Sequence, residues 1–69
     1  MAGRDTAGLR VELVNALESL PPDYLQVILL RDFAELSIAE IAAQLDITAA
    51  AAKSRLHRAR RMAREYLIG

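Results

Sequence analysis

The sequence predicts an all-α fold, a compact domain of four helices, and three observations predict it. No alternating run of β-branched residues appears anywhere in its 69 residues, so the period-two signal of a strand is missing. Alanine, leucine, arginine and glutamate dominate, and all are strong helix formers. Apolar residues recur at steps of three and four, the spacing that lines up one helix face. A chain this short buries only about 60% of the surface its unfolded form exposes. Its core must therefore be efficient. We expect residues 9–69 to form one domain and residues 1–8 to be a flexible N-terminal segment or linker remnant.

The first helical segment is expected from about Leu9 to Ser19, with Leu9, Leu13, Ala16, Leu17 and Leu20 on one face. Asp5 or Thr6 is placed to cap its start. Pro21-Pro22 ends it, because a residue before proline is pushed out of helical geometry. The second segment begins at Pro22, where a missing N–H costs nothing in the first turn. Asp23 adds negative charge at the positive end of the helix dipole. Leu25, Ile28, Leu29 and Phe33 form its expected buried stripe, widened by Val27 and Leu30. That width predicts this helix as the central one.

The third segment opens on Ser37-Ile38-Ala39-Glu40, the capping-box pattern of hydroxyl and carboxylate three residues apart. Ile38, Ile41, Ala42 and Leu45 then face the core, and the segment stops at Asp46-Ile47-Thr48. Thr48 is the expected N-cap of the last helix, from about Ala49 to Leu67. Its apolar positions Ala52, Leu56, Ala59, Ala63 and Leu67 fall within about 80° of arc at 100° per residue. Opposite them lie Ala50, Lys53, Ser54, His57, Arg58 and Arg61. Tyr24 and Tyr66 are expected at the edge of the core.

The formal net charge is zero, but its distribution is uneven. Residues 1–47 hold three arginines against eight acids, and residues 48–69 hold six cations against Glu65 alone. Such asymmetry points to a polyanionic partner for the basic half. With no cysteine and one histidine, the chain offers no thiolate chemistry and no multi-imidazole metal site. No cofactor is expected. Glycine-rich phosphate loops and nucleophile or metalloprotease motifs are missing, so catalysis is not expected. No apolar stretch near the start is long enough for a signal peptide or membrane span, which fits a cytoplasmic location.

A short capped helix, a tight turn and a longer helix with a basic back make a helix-turn-helix without a wing. In that motif the second helix enters the major groove with its N-terminal residues nearest the base edges. Thr48, Ala49 and Ala50 then stand at the entrance, small enough for close approach. Lys53, Ser54, His57 and Arg58 follow one turn further in, with side chains able to donate to guanine or phosphate oxygens. Arg61, like Arg64 beyond it, is placed to meet phosphates. Arg55 and Arg60 project toward the flanks of the seam, where Glu40, Asp46 or another acid offers an alternative partner. A helical protein-interaction module that does not itself read DNA is the second reading, through the wide apolar surface of the second helix.

The stretch LPPDYLQVILLRDFAELSIAEIAAQLDI followed by KSRLHRAR resembles region four of a bacterial sigma factor, in particular the extracytoplasmic-function group. The resemblance runs from Leu20 to about Leu67. It implies recognition of the upstream (−35) promoter element by the last helix during transcription initiation. It also implies docking on the β-flap of RNA polymerase core, and capture by an anti-sigma factor. By the same resemblance Thr48, Ala50, Lys53, Ser54, His57 and Arg58 occupy the positions that approach double-stranded promoter DNA. Two departures stand out. The family's Gly-Thr-Val before Lys-Ser-Arg is Ala50-Ala51-Ala52 here, and Glu35 stands where a glycine is usual. If that turn requires positive φ, Glu35 costs on the order of 1 kcal/mol. The competing resemblance is a LuxR-type response-regulator output domain, which shares Glu-Ile-Ala but usually continues with Val-Lys-x-His. The resemblance also implies that the chain is a domain excised from a longer protein.

Overall fold

The structure is a computed structural model that describes the backbone of residues 2–68 and the side chains of residues 8–68. Among the described residues it is built of four helices and no strand: α1 (Ala2–Glu18), α2 (Pro22–Ile28), α3 (Ile38–Leu45) and α4 (Ala49–Ile68). Between α2 and α3 the chain continues from α2 into a π-helical turn, Leu29–Phe33.

Local chemistry explains most of the boundaries. The Ser19 hydroxyl donates to the Ala16 carbonyl and closes α1, and Pro22 stands in the first turn of α2. At α3 the capping box is complete: the Glu40 N–H donates to Ser37 Oγ at 3.1 Å, and the Ser37 N–H donates to Glu40 Oε1 at 2.7 Å. α3 ends in a Schellman motif. The Asp46 N–H donates to the Ala43 carbonyl at 3.3 Å and the Ile47 N–H to the Ala42 carbonyl at 2.9 Å. Asp46 itself takes the left-handed conformation, φ 58°, that this motif requires. Thr48 caps α4 by accepting from the Ala51 N–H at 3.0 Å.

The core contains no polar or charged side chain among the described residues. It is made of Leu17, Leu20, Val27, Ile28, Ile41, Ala42, Ala52, Leu56, Ala59 and Ala63. Alanines supply much of the α4 seam, so neighbouring backbones approach closely. α4 packs extensively against α1, α2 and α3. It is the central helix, in place of α2 as the width of the apolar stripe predicted.

Three further expectations are corrected by packing. Backbone helix starts at Ala2 and not near Leu9; the N-cap expected at Asp5 or Thr6 falls on side chains outside the described residues. Within the α1 stripe, Ala16, Leu17 and Leu20 are buried, but Leu9 is 62% and Leu13 44% exposed. α1 packs against α4, with Leu13 and Leu17 near Ala63 and Leu67. Leu67 and Tyr66, expected in and beside the seam, are exposed.

The stripe of α2 also breaks after Ile28. Leu29 and Phe33, the first and last residues of the π turn, are exposed, Phe33 at 63%, because the buried arc of this segment runs through Val27 and Ile28. Its i+5 bond runs from the Ala34 N–H to the Leu29 carbonyl at 3.0 Å, and the Leu36 N–H donates to the Leu30 carbonyl at 2.9 Å across the reversal that follows. The turn then reverses through Glu35 at φ 61°, so that position does require left-handed backbone.

Candidate nucleic-acid interface

α3, the Asp46–Thr48 turn and α4 form the helix-turn-helix. Burial divides α4 by helical phase. Ala52, Leu56, Ala59 and Ala63 face the core, while Lys53, Ser54, His57, Arg58 and Arg61 are all exposed along the outer arc. Thr48, Ala49 and Ala50 are exposed at its start. All eight sequence-predicted positions therefore share one open surface at and behind the N-terminus of α4. The entrance is small in volume and the arc behind it is cationic, the arrangement a helix needs to lie against the sugar-phosphate backbone while its side chains reach into a groove.

Two clefts flank this arc. On one side Ser54, Arg55 and Arg58 face Pro21, Asp23 and Tyr24 across a cleft of about 370 Å³. On the other, Lys53, His57 and Arg60 face Arg31 of the π turn and Ile38 of α3 across a cleft of about 300 Å³. Arg60 is anchored by an ion pair with Asp32, so its partner is neither Glu40 nor Asp46. Glu40 is occupied by the capping box. Arg31 donates to the Leu36 carbonyl at 3.1 Å. Sequence spacing missed Arg31 as a neighbour of Lys53 and His57. The π turn brings it there, and only the tertiary fold reveals it.

A separate apolar groove of about 390 Å³ lies on the far side, where Leu13 and Leu17 of α1 face Phe33, Ala63 and Leu67. Asp32, Arg60 and Arg64 border it, and none of Lys53, Ser54, His57, Arg58 and Arg61 does.

Fold and surface together define a DNA-binding helix-turn-helix domain of the kind that regulates transcription. The chain belongs to the Sigma-70, region 4 family, which matches residues 10–62. It is 41% identical over 59 residues to the ECF RNA polymerase sigma factor SigE of Mycolicibacterium smegmatis. That similarity covers 86% of this chain and 23% of the relative's length. The chain thus spans about a quarter of that relative's length. No solved structure matches it. The family match sets aside the LuxR-type reading. Among the described residues no helix is long and apolar enough to cross a membrane.

Proposed function

We propose that this domain reads the upstream (−35) element of a bacterial promoter through the outer arc of α4, as the DNA-recognition part of an ECF-type sigma factor. The observation that carries the reading is the division of α4 into a buried alanine-rich seam and an exposed arc of Lys53, Ser54, His57, Arg58 and Arg61, in a chain of the region 4 family. Thr48, Ala49 and Ala50 admit the helix end to the groove. Lys53, Ser54, His57 and Arg58 meet base edges and adjacent phosphates, and Arg61 meets the backbone. Such a role belongs in the cytoplasm, beside RNA polymerase.

A second surface supports docking on a protein. The groove between α1, the π turn and the end of α4 leaves Leu13, Phe33 and Leu67 exposed. None of Lys53, Ser54, His57, Arg58 and Arg61 lines it, so it is the surface for the polymerase β-flap or an anti-sigma factor.

The test of DNA reading is an NMR titration with a duplex carrying a GGAAC-type element, against a scrambled duplex, at several salt concentrations. Shifts centred on residues 48–61 are expected, with preference for the first duplex. Affinity should fall with salt with a log–log slope of about −0.9 per phosphate neutralised. Arg58→Ala should weaken the preferred complex. Salt-independent binding, or an Arg58→Ala variant with unchanged affinity and preference, refutes this assignment of the arc.

A further inference from the structure

The cleft between the π turn, α3 and α4 holds a basic cluster that the outer arc alone does not explain. Arg31, Lys53, His57 and Arg60 line it over an apolar floor of Ile38 and Leu56. No acid lines it. The nearby carboxylates are turned to other work: Asp32 holds Arg60, and Glu40 caps the Ser37 N–H. Both arginines are anchored through one nitrogen each, to the Leu36 carbonyl and to Asp32. A guanidinium has five N–H donors in a fixed fork, so each retains donors for an incoming anion. On α4 itself Arg58 and Arg61 stand beside His57 and add charge of the same sign. His57 makes no hydrogen bond among the described residues.

An acceptor-only, negatively charged group is what such a cleft lacks. A phosphodiester oxygen fits that description. A neutral imidazole meets it with a single donor and one unused acceptor, whereas an imidazolium presents two donors and makes a shorter, stronger, charge-assisted bond. We infer that the cleft seats a backbone phosphodiester of the DNA duplex, with His57 bound as the imidazolium, so that docking takes up one proton from solvent. The inference rests on the DNA-binding reading and adds a ligand site and a proton linkage to it.

The sign follows from linkage. The bound state holds more protons than the free state, so affinity is greatest at low pH and declines as pH rises through the range in which imidazoles lose their proton. One unit of difference between bound and free imidazole gives a tenfold change in affinity, about 1.4 kcal/mol.

The experiment measures the affinity of the 69-residue chain for the GGAAC-type duplex by fluorescence anisotropy, between about pH 5.5 and 8 at fixed ionic strength. His57→Gln, which hydrogen-bonds but does not titrate in this range, is measured alongside. Because His57 is the only histidine in the chain, its ring signals also report titration directly by NMR, with duplex, without it, and with inorganic phosphate as control anion. Wild-type affinity is expected to rise by up to about tenfold toward low pH, with His57→Gln flat and the ring titrating at higher pH only when duplex is present. Arg31→Gln should lower the salt slope by about 1. An equal pH dependence in His57→Gln, or a ring titration that the duplex leaves unmoved, overturns the inference while the promoter reading stands. The same ring shift with inorganic phosphate alone overturns the duplex as the ligand. Absence of duplex binding at any pH removes both readings.

Discussion

Replacing Glu35 with glycine should stabilise this domain, and the size of the gain follows from its backbone. Glu35 sits at φ 61°, where an L side chain crowds the following carbonyl at a cost of roughly 1–2 kcal/mol that glycine does not incur. Against this, glycine loosens the unfolded chain and costs about 0.4–1 kcal/mol. The Glu35 side chain is exposed and makes no hydrogen bond or ion pair among the described residues, so nothing else is lost. The net gain is about 0.8 kcal/mol at the middle of these ranges and at most about 1.6 kcal/mol. At about 4–8 °C per kcal/mol for a domain of this size, the melting temperature should rise by roughly 3–6 °C. Thermal unfolding followed by circular dichroism measures it, with urea midpoints at constant m-value as a second reading. Glu35→Ala is the control: it removes the same side chain but keeps a Cβ in the left-handed region, so it should bring no such gain. Asp46→Gly should gain less than Glu35→Gly, because aspartate tolerates that region better than glutamate. An unchanged or lowered melting temperature in Glu35→Gly refutes the reasoning, as would an equal gain in Glu35→Ala.

Three other perturbations have defined outcomes. Ser37→Ala removes the hydroxyl that accepts from the Glu40 N–H and should cost roughly 0.5–2 kcal/mol in urea unfolding. Ala59→Leu forces a large side chain into a fully buried position on α4. It should cost roughly 1–3 kcal/mol and weaken DNA binding along with stability. The Asp32–Arg60 pair is half exposed, so a double-mutant cycle with alanine at both positions should give a coupling below about 1 kcal/mol.

What was legible in the sequence was local. The capping box at Ser37 and Glu40, the cap at Thr48 and the helix start at Pro22 each depend on residues within one turn, and each is where its side-chain chemistry put it. The α4 seam from Ala52 to Ala63 was legible for the same reason, since a fixed helical phase assigns each residue to a face, whereas Leu67 shares that phase and is exposed. The π turn was not, because nothing in Leu-Leu-Arg-Asp-Phe distinguishes an i+5 bond from an i+4 bond. The exposure of Leu29 and Phe33 has another cause: the buried arc runs through Val27 and Ile28, which apolar spacing alone does not single out. Periodicity in α1 shows which face packs but not where the core stops, so Leu9 and Leu13 fall on the core face by spacing and are nevertheless exposed. Arg31 was silent for a third reason: it reaches Lys53 and His57 only through tertiary packing.

The central position of α4 has a further consequence for how this surface works. The helix that would read DNA is also the one on which α1, α2 and α3 pack, through a seam in which Ala52 and Ala59 are fully buried. Alanine offers little freedom of rotamer, so the seam fixes the rotation of α4 about its axis more tightly than long side chains would. That rotation decides whether Lys53, His57 and Arg58 point at a groove or past it, because a change of one residue in phase moves each by about 100°. Enlarging a seam alanine therefore acts on DNA reading through geometry, without touching a basic side chain. Removing Arg58, by contrast, is expected to change the proposed reading surface and to leave the packing intact. Stability and DNA affinity should consequently fall together for substitutions on the buried arc and separate for those on the exposed one.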